Sequence, residues 1–354
     1  MSAEVVKVSA DNPQRESLQR AGEIIRRGGL VAFPTETVYG LGGNALDPEA
    51  SRRIYAAKGR PSDNPLIVHI ADIKSLEAIT VELPEEARKL AKACWPGPLT
   101  MILKKTPQVP PETTGGLDSV AVRFPSHPVA LMLIEEAGGF VAAPSANASG
   151  RPSPTTAAHV WEDLGQSIDM ILDAGPVQIG LESTIVDLTS DPPTILRPGY
   201  YSLGMLRSIL PDVRMDPGLP ESDPLLHPKA PGMKYRHYAP RAELTIIEGD
   251  RSAVVQTIRS RSEQMAARGK KVGILSSQET ADQYPAGLVL CVGSLAREET
   301  IARQLYDCLR SFDARGVDVI YSESFHTPLM GEAIMNRLLK AAGHRVDYAV
   351  SPGD

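Results

Sequence analysis

The chain has 354 residues, too many for one typical core, which predicts two domains. Its 42% hydrophobic and 23% charged residues match an ordinary globular protein. A net charge of −6 excludes a general electrostatic pull on nucleic acid or acidic membranes, so any basic site has to be local.

The N-terminal M-S-A-E-V-V-K-V-S-A-D-N lacks the apolar core of a signal peptide, and no run is long enough to cross a bilayer. A cytoplasmic protein without membrane attachment is expected. Cys94, Cys291 and Cys308 lack C-x-x-C spacing and read as buried apolar fillers of a reduced protein. Residues 16–27 carry Leu18, Ala21, Ile24 and Ile25 at helical spacing, stopped by Gly28 and Gly29. A short strand at 30–33 runs into P-T-E-T-V-Y-G-L-G-G (34–43), a turn-rich segment dense in hydroxyls and glycines. A helix opens at Pro48 and stops at Gly59. In K-G-R-P-S-D-N-P-L-I-V-H (58–69), Gly59, Pro61 and Pro65 break both helix and strand, so Lys58 and Arg60 sit on a fixed loop.

Beyond the strand at 66–70, a helix is expected at 85–93, a strand at 99–103 and a loop over 107–116. A strand at 119–124 follows, with Val120 and Val122 on one face and Arg123 near its end. A helix at 128–137 and a strand at 140–143 lead into P-S-A-N-A-S-G-R-P-S (144–153), the second dense polar loop. Strands at 170–173, 184–188 and 194–196 and a helix at 203–210 close the first domain, 1–210. Recurrent prolines without an apolar period mark 211–241 as a linker, too long for a plain connection. In 242–354, strands at 244–248, 272–275, 288–292 and 317–321 alternate with helices at 253–267, 298–314 and 331–342. That pattern predicts a smaller parallel, Rossmann-like α/β domain. Trp95 and Trp161 read as core or interface.

The chain has no P-loop, H-E-x-x-H, clustered Cys/His or G-x-S-x-G. What remains is a pairing of cations with small polar side chains at strand ends: Thr35 and Thr37; Lys58, Arg60 and Asn64; Arg123; Ser145 and Asn147; Ser153; Ser183; Arg197. Arginine offers a fork and lysine a point charge to phosphate or carboxylate. The set suits a polyanion and a small polar molecule, brought together by positioning and charge stabilisation rather than covalent catalysis. Each residue also has a plainer reading: a helix-end cation for Lys58 and Arg60, turn hydroxyls for the threonines and serines, surface ion pairs for the arginines.

P-T-E-T-V-Y-G-L-G (34–42), K-G-R-P-S-D-N-P-L (58–66), P-S-A-N-A-S-G (144–150), E-S-T-I-V-D (182–187) and L-R-P-G (196–199) together resemble the YrdC-like domain of threonylcarbamoyl-AMP synthases. P-G-M-K-Y-R-H-Y-A-P (231–240) and A-I-M-N-R-L in the last helix extend the resemblance to the two-domain form. It implies a YrdC-like twisted mixed sheet with helices, and conversion of L-threonine, bicarbonate and ATP, with Mg²⁺, to threonylcarbamoyl-AMP and pyrophosphate. Downstream threonylcarbamoyl-transfer proteins would pass the group to the adenosine beside the anticodon of certain tRNAs.

By the same resemblance, Lys58, Arg60, Ser145 and Asn147 form the catalytic tetrad, and no protein ligand for the metal is assigned. Thr35, His69, Arg123, Ala143 (through its backbone) and Ser183 surround threonine. Asn64, Ser153, Arg197 and Tyr238 join the tetrad around the nucleotide, and Tyr235 and His237 close over the mouth. The competing reading is a non-catalytic module for tRNA or double-stranded RNA, which the acidic balance opposes. Related carbamoyl chemistry also serves hydrogenase maturation, but the acylphosphatase-like and zinc-finger segments that accompany it are not seen.

Overall fold

Apolar residues at alternate positions become strands because one face of each run can then be buried. In a computed structural model describing residues 2–217, 228–230 and 237–349, the chain divides into two units. One comprises Met1–Ser149 and Ser153–Tyr235, the other Gly150–Pro152 and Arg236–Asp354.

The first unit holds β1 (Glu4–Lys7), β2 (Val31–Phe33), β3 (Gly40–Asn44), β4 (Ile67–His69), β5 (Leu99–Lys104) and β6 (Ser119–Arg123). It continues with β7 (Val141–Ala142), β8 (Met170–Asp173), β9 (Thr184–Asp187), β10 (Thr194–Arg197) and β11 (Arg214–Met215). They form one mixed sheet in the order β1-β8-β2-β3-β7-β4-β6-β5-β9-β10-β11. Helices Arg15–Arg26, Pro48–Lys58, Glu85–Cys94 and Pro128–Glu136 bury their apolar stripes against it.

Register explains the division of labour across the middle strands. Val68, Met101, Leu103, Val120, Val122, Val186 and Ile195 point into the main core. The opposite face carries Ile67, Ile102, Ala121 and Ile185 in one row, joined by Ala230 from the segment 228–230. Next to that row, pairing sets His69 against Arg123 and Arg123 against Thr100. Side chains two residues apart share a face, so this polar row belongs to the face that holds Ala230. Asp187, on the same face, receives Lys229 Nζ at 3.1 Å.

Several elements differ from the sequence expectation. G-L-G-G-N is a buried strand, β3, not a turn; a Cβ on Gly42 would sit 2.9 Å from Val141 Cγ1, so the glycine allows close packing that propensity alone disfavours. The loop over 107–116 contains a one-turn helix, Pro111–Thr114, ended by Gly115 in the left-handed region (φ 61°). β11 pairs with β10 inside the stretch read as linker, through backbone bonds that leave no apolar period. β1 and the helix Ala157–Leu164 had no predicted counterpart. Cys94 and Cys308 are buried, but Cys291 is exposed, on an edge strand of the second unit. Trp95 is buried and Trp161 is 41% exposed, so only the former is core.

The second unit contains β12 (Glu243–Glu248), β13 (Val272–Ser277), β14 (Leu288–Gly293), β15 (Val319–Glu323) and β16 (Val346–Tyr348). They lie in the order β14-β13-β15-β12-β16, every pair parallel. Helices Arg251–Ala267, Glu298–Ala314 and Gly331–Ala342 connect them, giving the parallel α/β arrangement that the alternating pattern predicts. Among the described residues no helix is long and apolar enough to cross a membrane.

Candidate active site

Lys58 is the last residue of its helix, which Ile54 and Tyr55 hold on the core and which Gly59 terminates in the left-handed region (φ 61°). The lysine is turned inward and is 4% exposed. Its Nζ donates to the carbonyl oxygens of Ser145 and Asn147, and Ser149 N donates to Lys58 O at 2.8 Å. The loop that begins at Lys58 and the polar loop 144–153, read separately in the sequence, are therefore stitched together through Lys58. Within the second loop Ser145 Oγ donates to Asn147 Oδ1 at 2.5 Å.

Arg60 braces its own loop. Its Nε donates to Asn64 O at 3.2 Å, and its Nη2 to Asn64 Oδ1 at 2.6 Å and Pro65 O at 3.0 Å. The fork thus fixes the turn between the helix and β4, and Asn64 is its partner.

The polar row on the sheet forms a second group. Arg123 Nη2 donates to Glu36 Oε1 at 2.7 Å, with both side chains 5% exposed. Arg123 Nε is buried and has no hydrogen-bond partner among the described residues. Thr100 and Ser183 hydroxyls lie 2.8 Å apart, and Arg197 donates from Nε to Ser183 O and from Nη2 to Ser183 Oγ, each at 3.1 Å. Ala143 N donates to Ile67 O at 2.9 Å, which fixes the start of the second polar loop beside β4. Thr35 Oγ1 donates to Val38 O at 2.7 Å and lies 2.9 Å from Thr37 Oγ1, so both threonines also shape the turn.

His69 is 3% exposed, with Phe33 packed edge-on at 6.2 Å between centroids. Burial, and then the neighbouring Arg123 cation, push its pKa down to about 3. It is neutral at pH 7 and suited to a hydrogen bond rather than an ion pair. In the unfolded chain His69 takes up its proton near pH ~6.5, a proton the folded protein refuses until about pH 3. Its contribution to stability is therefore full above the unfolded value and lost as pH falls towards the folded one. His69→Gln is expected to flatten the pH dependence of the urea midpoint over that window; an unchanged slope between the variants counts against this account.

The structure groups Lys58, Arg60, Asn64, Ser145 and Asn147 at one pair of loops. It groups His69, Arg123, Ser183 and Arg197 along one sheet face. Ser153 is fully buried and donates to Glu182. Tyr235 lies outside the described residues. His237 and Tyr238 belong to the second unit, where Tyr238 stacks on Tyr306 at 5.3 Å and lies under Arg337, 5.7 Å from its ring centroid. Tyr238, the residue expected at the nucleotide, is 5% exposed. The linker motif and the A-I-M-N-R-L motif thus meet as Tyr238 and Arg337.

Sequence reasoning missed Glu36, Thr100 and Glu182, the partners that hold Arg123, Ser183 and Ser153. Glu36 stands inside P-T-E-T, where the hydroxyls drew attention; a carboxylate flanked by apolar strand and glycine was the available signal. Thr100 carried none, since it sits in an ordinary strand.

Two family models cover most of the chain. One, described as "Telomere recombination" and named for Sua5, YciO and YrdC, matches residues 23–199. The other, the threonylcarbamoyl-AMP synthase C-terminal domain, matches residues 202–343. Threonylcarbamoyl-AMP synthase of Pyrococcus abyssi is 50% identical over 326 residues, 92% of this chain and 94% of the relative. That of Bacillus subtilis is 49% identical over 341 residues, 96% of both. The crystal structure of P. abyssi Sua5 complexed with L-threonine superposes with a TM-score of 0.92 at 48% identity, covering 98% of this chain and 99% of that one. With two family models over most of the chain and relatives about 50% identical over nearly their full length, the chain belongs to the threonylcarbamoyl-AMP synthase family.

Proposed function

We propose that this protein condenses L-threonine, bicarbonate and ATP into threonylcarbamoyl-AMP and pyrophosphate. The observation that carries the reading is Arg123, a buried guanidinium whose Nε has no partner among the described residues, beside a neutral histidine. Such a donor suits a small carboxylate, and the threonine complex of the P. abyssi relative supports threonine as its source.

The amine of threonine joins the carbon of bicarbonate, water leaves, and a carbamate results. A carbamate oxygen then attacks the α-phosphorus, the bond from that phosphorus to the bridging oxygen breaks, and pyrophosphate departs. Two anions must approach each other, so fixed positive charge is the physical requirement. In this reading Arg123 takes the threonine carboxylate, while Thr35, His69, the Ala143 backbone and Ser183 surround the rest of the amino acid. Lys58, Arg60, Asn64, Ser145, Asn147, Ser153 and Arg197 serve the nucleotide. Among the described residues no three His, Cys, Asp or Glu side chains are grouped to hold a metal. Mg²⁺ would accordingly enter on the triphosphate oxygens and water, neutralising phosphate charge.

Residues 1–210 are assigned the chemistry, 211–241 the shielding of the water-labile product, and 242–354 a supporting α/β domain. The product would be handed in the cytoplasm to proteins that transfer the group to tRNA. The net charge of −6 gives no support to a pure RNA-binding role. Pyrophosphate release should require threonine, bicarbonate and ATP together; release that proceeds equally without threonine refutes the assignment.

A further inference from the structure

We propose that Glu36 is the positioning residue for Arg123, setting the guanidinium that receives the substrate carboxylate; the inference rests on the function proposed above. Glu36 is 4% exposed on the loop after β2 and joins three loops. Its Oε1 accepts from Arg123 Nη2 at 2.7 Å, its Oε2 accepts from Ser126 N at 3.3 Å, and its backbone oxygen accepts from Ile179 N at 2.9 Å. Holding Nη2 fixes the guanidinium plane and leaves the buried Nε–H as the donor without a partner among the described residues. The carboxylate also offsets the cost of burying the Arg123 cation, which otherwise favours turning it away.

Charge and geometry together therefore make Glu36 act through Arg123 on threonine and leave the nucleotide loops alone. The nucleotide loops have their own braces, Lys58 on Ser145 and Asn147, and Arg60 on Asn64. Calorimetric titration of the full chain with L-threonine, and separately with ATP, tests this in Glu36→Gln and Glu36→Ala. Threonine affinity should fall roughly 10- to 100-fold, more in the alanine variant, with ATP affinity unchanged. In steady-state assays the loss should appear in the threonine KM before kcat. A cooperatively melting Glu36→Ala protein with wild-type threonine affinity overturns the proposal, as does an equal loss for threonine and ATP. If the wild-type chain itself fails to bind threonine, the function reading fails instead, so the two failures are distinct.

Discussion

Lys58→Ala is expected to lower turnover by about 10²- to 10³-fold, the effect of removing one preorganised donor from a charge-stabilising site. The ammonium is buried, and its removal also strips a donor from the carbonyl oxygens of Ser145 and Asn147, which form the wall of the second loop. Both consequences act on the same atoms, so ATP binding and turnover should fall together while threonine binding persists. Arg60→Lys should be nearly as harmful as Arg60→Ala. The guanidinium reaches Asn64 O, Asn64 Oδ1 and Pro65 O through two nitrogens at once, a spread that a lysine point charge does not reproduce. Pyrophosphate release at saturating substrates is the measurement. A mild loss for Arg60→Lys would return this arginine to the role of an ordinary helix-end cation.

A second large effect is one of stability. Arg123→Leu leaves the Glu36 carboxylate buried without its cation, which costs about 3–5 kcal/mol for a broken buried pair. The double variant Arg123→Leu with Glu36→Gln removes the stranded charge and should recover much of that loss in urea unfolding while threonine binding stays absent. A double variant no more stable than Arg123→Leu alone would show that the pair's worth lies in packing.

The strands and helices with a clear apolar period were legible in the sequence: 170–173, 298–314 and 331–342 match the observed elements residue for residue. β3 was not, because its glycines were selected by close contact with neighbouring strands, a property of residues distant in the chain. The cations of the site were legible because Lys58, Arg60, Arg123 and Arg197 lie at strand or helix ends, where side-chain charge is uncommon inside a core. Their partners were harder to see. Glu36 and Thr100 meet Arg123 and Ser183 only across the folded sheet, and carbonyl acceptors such as those of Ser145 and Asn147 carry no mark in the side-chain sequence. The packing of the Tyr238 ring on Tyr306 was equally invisible, since the two residues lie far apart in the chain.

The pairing of β1 with β8 has a consequence for synthesis. Glu4 finds its partner in Met170, and Val31 on β2 pairs with the same residue. Chain emerges from the ribosome at about 5–20 residues per second, so the first strands wait on the order of ten seconds or longer for the strand that lies between them. Contacts of such long sequence separation also slow folding once the chain is free. During that interval β1 is an unpaired edge, and its composition suits the wait: it is four residues long, with Glu4 and Lys7 at its ends. Short, charged edges resist pairing with other chains. Neutralising both ends, by Glu4→Val with Lys7→Val, should therefore raise the aggregated fraction of newly made protein more than it changes the melting temperature of the finished fold.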